Sequence, residues 1–396
     1  MEQKSRSSFS GRVGFVLAAA GSAVGLGNLW RFPYLAAQYG GGIFLLVYLI
    51  LVVTFGFALM VTEIAIGRKT RLSCIGAYKA LDKRFGFLGW IATLVPVIIT
   101  PYYCVIGGWV MKYLFTFVTG QGMTAADNGG FFDSFIGFDA GSLTATMLDF
   151  SGPTPWFLLF VLATTVVVIF GVEKGIERAS RFMMPILAVL AIFVAIYSLT
   201  IPGAMAGLKY YLLPDFSQFS LSTVLGALGQ MFYSMSLAMG IMITYGSYMK
   251  KENLLEHSVT QIEVFDTLFA FVAGLMIIPA VVAFNGGDPS QINSGPGLMF
   301  VTLPMVFESM HFGEIIGAVF FLLVLFAALT SSISLMETIV SVVMDKTHMK
   351  RKPRLWLWSL SCWSASRPVW VTVRGPQSRS SACSSSISLT LSPTRC

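Results

Sequence analysis

The stretch GSAVGLGNLWRFPY, Gly21 to Tyr34, lies inside hydrophobic sequence and is nevertheless built to be poor helix. Val13 to Trp30 carries no charge, and this run sits in a segment long enough to cross a bilayer, which takes roughly 20 apolar residues. Gly21, Gly25 and Gly27 are the weakest helix formers short of proline. Backbone released from a helix cannot face lipid, so a break here must be buried in protein or line a wet cavity. The break is therefore a candidate ion or solute site. The competing reading, a small-residue packing face at Gly21-x-x-x-Gly25, leaves Asn28 and Arg31 less well explained, because polar and charged side chains within spans are expensive and mark pathways. No strand or βαβ unit surrounds the glycines, which sets a dinucleotide fingerprint aside.

Composition points the same way. Of 396 residues, 55% are hydrophobic and 11% charged, and the mean hydropathy is +0.75, too apolar for a soluble enzyme of this length. Eight uncharged or nearly uncharged apolar segments read as helical spans: 13–38, 42–67, 86–118, 155–172, 182–201, 219–249, 262–285 and 313–344. The net charge of +7 is a topology signal and does not imply nucleic acid. Lys and Arg cluster before the first span and after the second, fourth, sixth and eighth, whereas Gly120–Pro155 and Gly286–Gly313 have none. That alternation predicts a cytoplasmic N-terminus in a multi-pass protein of the cell inner membrane or plasma membrane. No cleavable signal peptide is expected, and with no cysteine in either long external loop neither is a disulfide framework.

A second span echoes the first. Thr223 to Met249 is free of charge, but its middle reads Phe232-Tyr233-Ser234-Met235-Ser236-Leu237-Ala238-Met239-Gly240. Interrupted segments five spans apart run in opposite directions through the membrane. Such a pair is the sequence pointer to an inverted-repeat transporter with its site at the midplane. The predicted fold is thus an all-α polytopic bundle with helices 1 and 6 broken. Residues 1–346 form the membrane domain, with helices 1–5 as one repeat and 6–8 as part of the second. The Ser/Arg-rich tail, 347–396, is expected to be disordered or the product of a shifted reading frame.

Other polar residues fall around this pair. Glu63, near the end of the second span, either accepts hydrogen bonds from unwound backbone or merely ends the helix. Tyr103 follows Thr100-Pro101-Tyr102, so a kinked helix would aim its phenol at the cavity; the alternative is plain packing. Thr330-Ser331-Ser332 interrupts the eighth span, although such hydroxyls usually bond back to their own helix. Asp266, inside the seventh span, should have a cationic partner, because an unpaired carboxylate there costs several kcal/mol. Gly- and Pro-rich 286–313 suits an external lid structured by turns.

GSAVGLGNLWRFPY, the TEIAIGR ending the second span, PYY in the third, QMFYSMSLAMGIMITYGSY and LTSSIS together resemble the neurotransmitter:sodium symporter family, and particularly its bacterial amino-acid transporters. The resemblance runs from about Arg6 to Asp345. It implies sodium-driven amino-acid symport by alternating access, with Na⁺ as coupling ion at two sites and no other cofactor. By this resemblance one Na⁺ is held by the Ala23 carbonyl, Asn28, Ser234, Asp266 and the substrate carboxylate. The other is held by carbonyls of Gly21, Val24 and Ala327 and hydroxyls of Thr330 and Ser331. The substrate carboxylate meets N–H groups of Leu26 and Gly27 and the Tyr103 hydroxyl; its ammonium meets carbonyls of Ala23, Tyr233 and Ser234 and the Ser236 hydroxyl. Val24, Ile99, Tyr233, Met239, Ser331 and Leu335 line the side-chain pocket. Arg31 and Gln230 match an external gate whose acidic partner belongs to a tenth span that the chain does not show. Arg6, Tyr248 and Asp345 match the internal gate, and Phe9 stands where the family usually has Trp.

Two finer expectations accompany these. Met239 and Ala238 suit a large hydrophobic or aromatic amino acid, methionine being an adaptable liner. Asp266, where the family has a neutral asparagine, would supply the negative charge that chloride brings elsewhere, making transport chloride-independent. The partners are then an amino acid, sodium ions and the lipid bilayer. The rival readings are a sodium-coupled carrier of another family and an incomplete, non-transporting amino-acid-binding membrane protein. An enzyme is not expected, since none of the three His residues lies in a span core and no nucleophile–base or metal pattern is present.

Overall fold

The computed structural model describes residues 8–137, 152–289, 292 and 295–347. The expectation for the tail falls almost wholly on residues outside this set, and Arg6 lies outside it as well. The described residues are helical apart from turns and one isolated bridge between Gly41 and Pro214.

The first predicted span is α1 (Arg12–Ala23), a π-helical turn (Gly27–Arg31) and α2 (Phe32–Gln38), bent by 48° at the glycine-rich break. The second runs from α3 (Gly42–Leu51) through a π-helical stretch, Val52–Gly56, into α4 (Phe57–Thr70). After α5 (Cys74–Leu81), α6 (Gly86–Val118) carries Pro96 and Pro101 in its interior. Next come α7 (Gly130–Ile136) and α8 (Thr154–Ile169), then a π-helical Val172–Glu177 leading into α9 (Arg178–Leu199), and α10 (Ala204–Leu212). The sixth predicted span is two short helices, α11 (Leu221–Ser234) and α12 (Ile241–Tyr248), separated by a non-helical linker. Finally come α13 (Leu255–Phe284), α14 (Leu303–Glu308) and α15 (Gly313–Thr347).

Among the described residues five helices are long and apolar enough to span a membrane, six with the bent first pair. The expected eight segments are all helical, but α8 is shorter than a full span and the sixth is divided. Two boundaries move for the same reason. The fifth and seventh segments begin at Val172 and Leu255, well before their apolar runs, because helix continues through polar residues that hydropathy does not count as membrane. The 286–313 segment carries more helix than its turn residues suggest, with a π-helical Leu298–Thr302 and α14 packed on the start of α15.

The broken first helix sits at the centre, with α13, α9 and α15 packed around α1. Small residues let backbones meet. A Cβ on Gly67 of α4 would overlap the Ile243 carbonyl oxygen, and one on Gly246 of α12 would overlap that of Ile64. The TEIAIGR segment thus lies backbone to backbone against the second half of the broken sixth helix, the small-residue contact that membrane helices favour.

Candidate sodium and substrate site

The first break is specific in its geometry. Val24 leaves the helix in an extended conformation, and the chain re-enters at Gly27 as a π-helical turn. The freed groups find partners: the Leu26 N–H donates to the Tyr103 hydroxyl oxygen at 3.2 Å, and the Gly25 N–H faces Asn28 Oδ1 at 3.4 Å. Gly25 has no room for a side chain, since a Cβ would overlap Ser331 Oγ and come within 2.8 Å of Tyr103 Oη. In the second break Ser236, Ala238 and Gly240 all have positive φ (54°, 59° and 70°). Glu63 Oε1 accepts from the Ala238 N–H at 2.7 Å, which decides between its two readings in favour of holding unwound backbone.

Two polar clusters surround the breaks, one linking them to each other and one tying the first break to α15. In one, Asp266 of α13 accepts from Asn28 Nδ2 at 2.8 Å and from Ser234 Oγ at 2.9 and 2.8 Å, with all three residues buried. The protein partners of this carboxylate are neutral donors: a hydroxyl and a carboxamide satisfy it without cancelling its charge. In the other, Ser331 Oγ donates to the carbonyls of Ser22 and Val24 at 3.1 and 3.2 Å. The Thr330 hydroxyl bonds back to Phe326 and Ala327, as mid-helix hydroxyls usually do, and Gly21 packs against the Thr330 side chain. Gly21, Val24, Ala327, Thr330 and Ser331 thus converge.

Between the clusters lies a small cavity. All the predicted substrate residues except Val24, Leu26 and Ser234 line it: Ala23, Gly27, Ile99, Tyr103, Tyr233, Ser236, Met239, Ser331 and Leu335. Ser22, Gly25 and Ile241 line it as well. Its lining combines hydroxyl and backbone groups with apolar side chains. Such a site suits a small zwitterion with an apolar tail beside hard cations, for which oxygen is the natural ligand.

At the Arg31 end, Arg31 Nη1 donates to Gln230 Oε1 at 3.0 Å and to the Gly229 carbonyl at 3.2 Å, while Gln230 Nε2 reaches the Gly27 carbonyl at 3.0 Å. The guanidinium lies 5.4 Å over the Tyr233 ring, and Tyr233 and Tyr102 share a hydrogen bond of 2.8 Å. At the opposite end Tyr248 donates to Glu337 Oε1 at 2.7 Å, and Asp345 accepts from the Ser73 N–H at 2.6 Å. Phe9 is fully buried against Phe15, Tyr245 and Tyr248 in edge contacts of 5.6, 5.7 and 6.3 Å.

Tyr48, Tyr102 and Glu337 were not legible as site residues. Tyr48 donates to Ser234 Oγ at 3.5 Å and so sits behind Asp266. Tyr48 is a single polar residue in an apolar run, and no spacing in the sequence distinguishes Tyr102 or Glu337 from packing.

A sequence model described as the sodium:neurotransmitter symporter family matches residues 6–125 and 135–367. A sodium-dependent transporter of Bacillus subtilis, YhdH, is 38% identical over 360 residues, covering 90% of this chain and 76% of its own length. One from Methanocaldococcus jannaschii is 35% identical over 385 residues, covering 95% and 77%. A crystal structure of MhsT in complex with L-phenylalanine superposes with a TM-score of 0.83 at 40% identity, over 93% of this chain and 81% of that one. The bundle with its broken helices and these matches agree: the chain is a multi-pass plasma-membrane protein and a sodium-dependent transporter, and it belongs to the sodium:neurotransmitter symporter family.

Proposed function

We propose that the protein is a sodium-coupled symporter of a hydrophobic or aromatic amino acid, working by alternating access and without chloride. The observation that carries this reading is the Asn28–Asp266–Ser234 cluster, which holds a buried carboxylate between the two helix breaks on neutral donors alone. A carboxylate so placed keeps its charge for a cation. The first Na⁺ takes the Ala23 carbonyl, Asn28 Oδ1, the Ser234 hydroxyl and Asp266, and the substrate carboxylate completes the shell. The second takes the carbonyls of Gly21, Val24 and Ala327 with the hydroxyls of Thr330 and Ser331.

The substrate carboxylate sits against the N–H groups of Leu26 and Gly27 and the Tyr103 hydroxyl. Its ammonium faces the carbonyls of Ala23, Tyr233 and Ser234 and the Ser236 hydroxyl. The apolar tail lies among Val24, Ile99, Tyr233, Met239, Ser331 and Leu335. The solved relative holding L-phenylalanine supports an aromatic substrate. The distribution of Lys and Arg supports a cytoplasmic N-terminus, which makes Arg31 and Gln230 the outer gate and Tyr248 and Asp345, with Arg6, the inner one. Coupling is reciprocal: if Na⁺ tightens the amino acid, the amino acid tightens Na⁺ by the same factor.

The test is uptake of labelled phenylalanine or tryptophan into proteoliposomes under an inward Na⁺ gradient, with chloride or gluconate as the anion. Gradient-driven accumulation equal in both anions is expected. Sodium-dependent binding without accumulation would instead identify a non-transporting amino-acid binder.

A further inference from the structure

A polar cluster at the foot of α1 takes no part in the site. The Ser10 N–H donates to Glu177 Oε2 at 2.8 Å, and the Ser10 hydroxyl donates to Oε1 of the same carboxylate. Arg181 donates to Glu177 Oε1 at 2.5 Å and to Ser10 Oγ at 3.1 Å. Lys250 Nζ reaches the Ser10 carbonyl at 2.7 Å, and the Phe9 N–H donates to the Tyr248 carbonyl at 3.2 Å. Residues 9 and 10 are thereby held from two sides, by the π-helical Val172–Glu177 stretch with α9 and by the end of α12.

The Glu177 side chain is only 3% exposed, and it stands where α1 lacks a side-chain cap of its own. A carboxylate is favoured at that end of a helix by the exposed N–H groups and the dipole. The fit is close enough that a Cβ on Gly14 would overlap Glu177 Oε1. Holding Ser10 also holds Phe9, whose ring packs on Tyr245. The Tyr245 hydroxyl shares a 2.8 Å hydrogen bond with Ser334, one helical turn along α15 from Thr330.

We propose that Glu177 is a positioning residue of the transport cycle, an inner latch that keeps the foot of helix 1 against helices 5 and 6 and whose release opens the path from Thr330 to the cytoplasm. The proposal rests on the alternating-access reading above. Its reversibility is built into the sequence: Arg181 lies one turn beyond Glu177 on the same helical segment, so the carboxylate keeps a cation when Ser10 leaves. A carboxylate left unpaired in a buried place would oppose release.

The experiment uses the full chain in proteoliposomes, with Cys74, Cys104, Cys362, Cys383 and Cys396 replaced by alanine and Ser334→Cys as reporter. The rate of maleimide modification is read without substrate, in Na⁺ and in K⁺, beside the melting temperature in detergent. Glu177→Gln should raise labelling in K⁺ by at least about fivefold, the lower end of ordinary coupling between states. Gly14→Ala and Ser10→Ala should act in the same direction, and Glu177→Asp should restore part of the protection. Ser10 is exposed, so Ser10→Ala tests the latch even where Glu177→Gln folds poorly. Labelling of the Ser10→Ala and Gly14→Ala proteins within twofold of the parent, or a rise that only follows a fall in melting temperature, would overturn the proposal and leave Glu177 a structural cap. Sodium-dependence of amino-acid binding is measured on the parent alone, so failure of the transport reading shows there and failure of the latch shows in the labelling.

Discussion

Asn28 and Asp266 meet across 2.8 Å, joining the broken first helix to α13 through a hydrogen bond whose donor is neutral and whose acceptor is a buried carboxylate. The second donor, Ser234, is neutral too, so the acid is solvated by protein without losing its charge.

Removing that charge should therefore weaken the cation more than the fold. At 4 Å and an effective dielectric near 20, a unit pair interacts by about 4 kcal/mol. Asp266→Asn is expected to lower Na⁺ affinity on the order of 10²- to 10³-fold, and to make residual uptake respond to chloride. Parent uptake that collapses in gluconate would show that Asp266 does not take the place of the anion.

Two of the other proposed oxygen ligands give a second check. Asn28→Ala and Thr330→Ala should each shift the Na⁺ concentration for half-maximal substrate binding upward by at least about tenfold, the equivalent of some 1.4 kcal/mol. Unchanged sodium titrations in a scintillation-proximity assay would remove these two residues from the ion sites.

Tyr103 and Gly25 separate a hydrogen bond from a shape requirement. Tyr103→Phe deletes the acceptor for the Leu26 N–H, a loss of about 0.5–1.5 kcal/mol, or roughly two- to thirteenfold in substrate affinity. Gly25→Ala should abolish binding, because the added methyl occupies the space of Ser331 Oγ. Equilibrium binding of labelled amino acid distinguishes the graded effect from the complete one.

Pocket chemistry sets the order of competitors. With Ile99, Tyr233, Met239 and Leu335 around the cavity, tryptophan, tyrosine and leucine should compete for uptake well ahead of glycine and lysine. A buried lysine head would find no carboxylate in the cavity lining, and glycine would forgo the burial of a side chain, worth about 1.5–3 kcal/mol. Glycine competing as strongly as tryptophan would contradict the assignment.

Cys74, in α5 outside the spans, gives a pH-dependent signal. Burial, with Glu63 nearby, pushes its thiol up from about 9 to about 12. The folded protein holds this proton more tightly than the unfolded chain. Its contribution to stability is thus complete below pH 9 and lost as pH rises toward 12. Since the thiolate is the reactive species, alkylation at pH 8 should be on the order of a thousandfold slower in the folded protein than after unfolding. Rapid labelling of folded protein at pH 8 would show that Cys74 is not so buried.

Much of this was readable in the sequence, for physical reasons. Charge-free runs mark spans because lipid penalises charge, and Gly25 and Gly27 mark a break because helix penalises glycine. The π-helical turn at Val52–Gly56 left no mark, since Val-Val-Thr-Phe reads as unbroken apolar helix. The partners of Asp266 could not be read either. Apolar sequence shows that a carboxylate needs solvation, and the expectation of a cation follows from cost alone. Only the tertiary arrangement shows that Ser234 and Asn28, far apart in the chain, supply it.

The contact of Gly67 with Ile243, and of Gly246 with Ile64, leaves α4 and α12 no layer of side chains over which to slide. Glu63 adds a polar tie from α4 to the linker just before α12. The two helices should therefore move as one unit, so that a tilt of the second half of helix 6 would carry the TEIAIGR helix with it. The linker at residues 235–240 and the Val52–Gly56 turn are the two places where this paired unit departs from regular α-helix. On the alternating-access reading, a displacement at the second break would be passed along this stiff pair of helices.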